Sequence, residues 1–176
     1  VGNLKGEADI LCVGGQAVQL ILGGARGEGS HPHCCPDQHA GLVAVDLLQR
    51  RDIDLLIAST EKISLWRNMR DGTFRDVATD VGLTTKGANA VAAGDINKDG
   101  FTDFYFSSGA TGTFAISNGK ERFQITQAPG GSDAAQLLDY DNDGLLDLIS
   151  IAQTGVKVLR NTGDSWTDVS DAATSK

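Results

Sequence analysis

Two stretches of the chain repeat one pattern: DINKDGFTD, from Asp95 to Asp103, and DYDNDGLLD, from Asp139 to Asp147. Each places an oxygen-bearing side chain at positions one, three, five and nine, and glycine at position six. Alternate residues of a tight loop can all point inward, which suits a hard cation that takes six to eight oxygens at roughly 2.3–2.6 Å. Glycine at the sharp turn supplies the backbone freedom. The residues expected to hold Ca²⁺ are Asp95, Asn97, Asp99, Phe101 and Asp103 in the first loop, and Asp139, Asp141, Asp143, Leu145 and Asp147 in the second. Phe101 and Leu145, at position seven, offer no side-chain oxygen, so only their backbone carbonyls qualify. With four acids against three, the second loop is expected to bind more tightly.

The flanks decide what the loops join. An EF-hand loop ends in Glu at position twelve and lies between helices; here position twelve is Phe106 or Ser150. The segments on either side are short apolar runs such as Phe104-Tyr105-Phe106 and Leu148-Ile149-Ser150-Ile151, which read as buried strands. Further strands are expected at 113–116 and 156–159, then at 123–126 and 166–169. Between them stand an asparagine, Asn118 or Asn161, and a glycine, Gly119 or Gly163. Each unit therefore has four short strands.

A third copy lies upstream, with strands expected at 43–46, 54–57, 63–66 and 74–77. Aligned on position nine, the loops give Asp54, Asp103 and Asp147, spaced by 49 and 44 residues; Asp9 stands another 45 residues before Asp54. A period of about 40–50 residues with four strands per unit indicates propeller blades. The fold class expected is all-β, with about 3.5–4 blades of four antiparallel strands, as a partial propeller or one completed by oligomerisation. The units are 1–40 (an incomplete first blade and a His/Cys-rich linker), 41–84, 85–130 and 131–176. The first of them is expected to begin inside a loop, Val1 to Asp9.

Ala93-Gly94-Asp95-Ile96-Asn97-Lys98-Asp99-Gly100, its partner at Asp139, and the segments Leu65-Trp66-Arg67-Asn68 and Gly72-Thr73-Phe74-Arg75-Asp76-Val77 resemble the FG-GAP/VCBS repeat family of integrin alpha-subunit heads and bacterial surface proteins. The resemblance covers about 41–172 and implies Ca²⁺ between the first and second strands of a blade. It also implies rings of about seven blades, so self-association or a longer parent chain is expected.

The upstream loop, Asp46 to Asp54, has Leu48 at position three, Arg50 at five and Arg51 at six. It is expected to hold no Ca²⁺, with a guanidinium standing in as counter-charge to Asp46 and Asp54. Val1 to Asp9, with Lys5 at position five, is expected to bind none either.

All three histidines and two of the three cysteines fall in one segment: His31, His33, Cys34, Cys35 and His39. These are common ligands of Zn²⁺ or another transition metal. Three readings stand side by side: an ordinary loop between blades, a second metal site, and a catalytic site using His31, His33 or His39. Cys34 and Cys35 could also bridge to each other. Cys12, in an apolar strand, reads as a small buried hydrophobe.

The net charge of −8 argues against a nucleic-acid partner. Two bound Ca²⁺ would bring it to −4. No run is long or apolar enough for a membrane span. Calcium loops of modest affinity point to an extracellular, periplasmic or cell-surface setting. Three functions follow: a calcium-stabilised module that binds a protein or glycan or acts as a scaffold; a metal-dependent hydrolase of phosphate, sulfate or related esters; and a self-associating structural propeller. No GxSxG, HExxH or P-loop pattern supports the second. Trp66 and Trp166 are expected to pack between blades.

Overall fold

The computed structural model describes residues 3–4, 10–13, 16–19, 41–47 and 49–171. The histidine–cysteine segment, including His31, His33, Cys34, Cys35 and His39, lies outside them. Most of the chain folds as three antiparallel meanders. The first sheet contains β4 (Gly41–Val45), β5 (Asp54–Ala58), β6 (Ile63–Asn68) and β7 (Phe74–Asp76), which follow β1 (Asn3–Leu4), β2 (Ile10–Val13) and β3 (Gln16–Gln19) in the chain. The second contains β8 (Ala90–Gly94), β9 (Asp103–Ser108), β10 (Thr111–Ser117) and β11 (Phe123–Pro129), and the third β12 (Ala134–Leu138), β13 (Asp147–Ala152), β14 (Gly155–Asn161) and β15 (Trp166–Asp168). Strands pair in chain order within each sheet. Turn chemistry at each bend leaves no other pairing as short.

The start of the chain departs from the expectation of a loop. Asn3 and Leu4 pair with Arg75 and Phe74, so β1 forms a fifth strand on the outer edge of the first sheet. The edge of β7 offers unpaired N–H and C=O groups, and such an edge recruits any extended segment within reach. β2 and β3 form a separate two-stranded hairpin.

The sheets stack face to face as blades of a partial propeller, because their inner strands are apolar on both faces. In β9, Phe104, Tyr105 and Phe106 are all buried. Phe104 and Phe106 meet Leu56, Leu65, Val45 and Ala58 of the first sheet in one core. Tyr105 points the other way and meets Phe114, Leu137, Leu148 and Leu159 in a second core shared with the third sheet. Full burial of one such Leu or Phe side chain contributes about 1.5–3 kcal/mol. Trp166 stacks on Phe114 with ring centroids 4.8 Å apart and planes at 22°, which makes it a packing aromatic between blades. Its counterpart Trp66 is half-buried on the first sheet.

Polar contacts fasten the second sheet to itself and to the segments that connect it to its neighbours. The Tyr105 hydroxyl donates to the Pro129 carbonyl at 2.7 Å, and the Ser132 N–H donates to Ser107 Oγ at 2.9 Å. The Phe123 N–H donates to the Val81 carbonyl at 2.8 Å. Among the described residues no helix is long and apolar enough to cross a membrane.

Candidate metal loops

The three loops that open the second strand of each sheet share one backbone design. Position nine is an aspartate, Asp54, Asp103 or Asp147, and each is buried. One oxygen accepts the N–H of the residue fourteen positions on, at the end of the third strand: Asn68 at 2.8 Å, Ser117 at 2.7 Å and Asn161 at 2.8 Å. The carboxylate also takes the N–H of position two, from Leu47, Ile96 or Tyr140. Position nine is therefore a bracket that ties the loop to two strands, in addition to being a candidate ligand. In this bracket the counterpart of Asn161 is Ser117, one residue before the turn asparagine Asn118. The bracket uses the backbone N–H and is indifferent to the side chain that carries it.

Burial alone would keep a carboxyl protonated. Desolvation pushes Asp103 up to about 6 against the two N–H donors, and the nearby charges of Asp99 and Asp95 add to the rise. Asp54 is also raised by burial, with the N–H groups of Asn68 and Leu47 and the charges of Arg50 and Arg67 opposing it.

Position one repeats as well. Asp46 accepts the N–H groups of Arg50 and Arg51, both at 2.8 Å; Asp95 accepts those of Asp99 at 3.0 Å and Gly100 at 2.8 Å. Asp139 Oδ2 accepts the Gly144 N–H at 2.9 Å. Positions four and six are left-handed in every loop, with φ of 53° and 61° at Gln49 and Arg51, 59° and 87° at Lys98 and Gly100, and 62° and 85° at Asn142 and Gly144. Arginine at position six thus adopts the backbone that glycine adopts elsewhere.

The loops differ in what their side chains leave open. Asp139, Asp141 and Asp147 each place an oxygen within 4.8 Å of the others. Two ligands of a shared Ca²⁺ lie at most about 4.6–5.2 Å apart. Asp139 Oδ1 is buried and has no hydrogen-bond partner, an arrangement that costs about 1–3 kcal/mol unless something positive satisfies it. These residues fit a divalent cation. The Leu145 N–H donates to Asp143 at 2.9 Å. In the 95–103 loop the side chains instead close on one another: Asn97 Nδ2 donates to Asp99 Oδ2 at 3.1 Å, and the Phe101 N–H donates to Asp99 Oδ1 at 2.9 Å. Its carboxylates do not form a comparable group.

Cations already line both ends of this series. Arg160 Nε lies 2.6 Å from Asp141 Oδ2, an ion pair by proximity rather than by hydrogen-bond alignment, and Nη2 donates to Asp143 Oδ2 at 3.0 Å. Asp143 is lowered by the Leu145 N–H and by Arg160, with the charge of Lys98 contributing. In the 46–54 loop Arg70 Nε binds both oxygens of Asp52 at 2.8 and 2.7 Å, and Arg50 stands 3.7 Å from the same carboxylate. Counter-charge here comes from arginines around Asp52 and Asp54, while Asp46 is satisfied by backbone. Nothing in the sequence pattern announces Arg70 or Arg160. The fourteen-residue step from position nine was the one available signal for the bracket.

Adjacent loops also touch. Gln49 Nε2 donates to the Gly100 carbonyl. The Lys98 ammonium covers Gly144, where a Cβ would lie 2.6 Å from Nζ. Position four of one loop thus reaches position six of the next.

Residues 46–106 match the family model described as an FG-GAP-like repeat. The match runs from position one of the arginine-bearing loop through the strand after the 95–103 loop, in agreement with the resemblance read from the sequence. No curated protein matches the chain.

Proposed function

We propose that the chain is a calcium-stabilised propeller module for binding or scaffolding, outside the cytosol, with no catalytic role of its own. The carrying observation is the buried, unpartnered Asp139 Oδ1 beside Asp141 and Asp147. Asp139, Asp141, Asp143, Asp147 and the Leu145 carbonyl hold one ion in this reading; Asp95, Asn97, Asp99, Asp103 and the Phe101 carbonyl hold the other. Bound Ca²⁺ supplies charge neutralisation and ties the first strand of a blade to the second. The chain's own part is to fix the carboxylates through the position-one and position-nine hydrogen bonds, so that binding reorganises few side chains. The 46–54 loop takes no ion. Ion binding is then folding free energy. EDTA is expected to lower the melting temperature and Ca²⁺ to restore it, and Asp139→Asn is expected to shrink that response. Identical melting curves with EDTA and with excess Ca²⁺ refute the reading.

A further inference from the structure

The hydrogen bonds of the 139–147 loop leave few of its carboxylate oxygens open. Asp139 Oδ2 accepts the Gly144 N–H, Asp141 Oδ1 that of Asp143 at 3.2 Å, and Asp143 Oδ1 that of Leu145. Both oxygens of Asp147 take backbone N–H groups, from Asn161 and Tyr140. The oxygens left over are Asp139 Oδ1, Asp141 Oδ2 and Asp143 Oδ2. Arg160, on β14, takes the last two, with Nε beside Asp141 and Nη2 donating to Asp143. The Lys98 ammonium, over Gly144, adds positive charge near Asp143. Asp139 Oδ1 is buried and reached by no donor.

The other loops show what this guanidinium depends on. The residue before the one that closes each bracket is Arg67, Ile116 or Arg160. In the first sheet, Leu48 and Arg50 at positions three and five offer no carboxylate. Arg67 there pairs with Glu121 at 3.1 Å, and its Nε and Nη2 are buried without a hydrogen-bond partner. In the second sheet Ile116 brings no charge, and Asp99 is paired with the Asn97 amide instead. Resting on the calcium reading, we infer that Arg160 is a built-in occupant of the 139–147 loop: engaged while no ion is bound, displaced by Ca²⁺, and the reason that this loop binds more weakly than the 95–103 loop although it holds more acids. A divalent ion entering at Asp141 and Asp143 replaces a charge already present, so its Coulombic gain is that of the difference in charge. At Asp99 it meets the neutral Asn97 amide and no guanidinium.

The test follows phenylglyoxal modification of Arg160, read by peptide mass, alongside calorimetric Ca²⁺ titration of the unmodified chain and of Asp95→Asn, Asp139→Asn and Arg160→Gln. Arg160 is expected to react about two- to fivefold faster in Ca²⁺ than in EDTA, the factor that release from an exposed ion pair allows. Arg75, on the first sheet, and Arg160 in Asp139→Asn are expected to react at rates that Ca²⁺ does not change. Asp139→Asn is expected to remove the weaker of two binding events, Asp95→Asn the tighter one, and Arg160→Gln to strengthen the weaker. Calcium binding with no change in the rate at Arg160, or loss of the tighter event in Asp139→Asn, overturns the inference and leaves the calcium reading standing. Absence of any Ca²⁺ binding by the unmodified chain overturns both.

Discussion

Asn161 of the third sheet donates through Nδ2 to the carbonyl of Ile96 in the second sheet's loop, 3.1 Å away. The same nitrogen reaches the Leu146 carbonyl at 3.2 Å, and the side chain is buried. Asn161→Ala leaves two carbonyls without this donor. It is expected to cost about 2–3 kcal/mol, read as a lower urea midpoint at unchanged slope. A loss under about 0.5 kcal/mol would show that the sheets are held by apolar packing alone.

The position-nine bracket is expected to matter with or without a metal. Asp54→Asn places an amide donor where a carboxylate accepts the N–H groups of Asn68 and Leu47. The expected cost is about 2–3 kcal/mol, equal in EDTA and in Ca²⁺. A cost that appears only with Ca²⁺ would mean that Asp54 serves as a ligand.

Arg160 competes for the carboxylates of the 139–147 loop. Arg160→Gln is expected to raise Ca²⁺ affinity by about three- to tenfold through the freed charges of Asp141 and Asp143. It is also expected to lower the melting temperature in EDTA. Calorimetric titration decides this, and weaker Ca²⁺ binding in the variant contradicts it.

Arg51 stands at φ 61° where the other loops have glycine. A side chain there costs about 1–2 kcal/mol, part of which glycine returns as unfolded-state entropy. Arg51→Gly is expected to stabilise the protein by about 0.5–1 kcal/mol, and Gly144→Ala to destabilise it. Denaturant midpoints of the two variants should move in opposite directions.

Asp76 sets a pH dependence. Burial is the largest single influence on it and raises it, yet Lys62, 2.9 Å away, and the N–H groups of Ala78 and Leu65 together hold it below 3.8. A depressed folded value contributes stability that is present above 3.8 and lost as pH falls through that folded value. Asp76→Asn is expected to be less stable than the parent at neutral pH by about 1 kcal/mol. The gap should close as pH falls below 3.8. A gap constant across that range assigns the loss to packing.

The blades were legible because the repeated aspartate and glycine spacing of the loops fixes where the second strand of each unit begins, and apolar runs around it leave little choice of register. Ser117 shows what such a reading leaves out. Its role belongs to a backbone N–H, which any residue provides, so no side-chain pattern marks it. Arg160 and Arg70 escaped because they reach the loops from elsewhere in the sheet, Arg160 from β14 and Arg70 from the turn after β6, and no local pattern encodes that reach. β1 escaped because two residues on an edge carry no periodicity.

In the 46–54 loop the bracket at Asp54 and the paired left-handed bends survive although Leu48, Arg50 and Arg51 occupy the ligand and glycine positions. The shape of the bend is therefore separable from the charge inside it. Ligands can be gained or lost one substitution at a time while the bend stays folded. Under the calcium proposal, the number of ions the blades carry is then an adjustable property, a way to set the calcium level at which they stiffen rather than a condition for having blades.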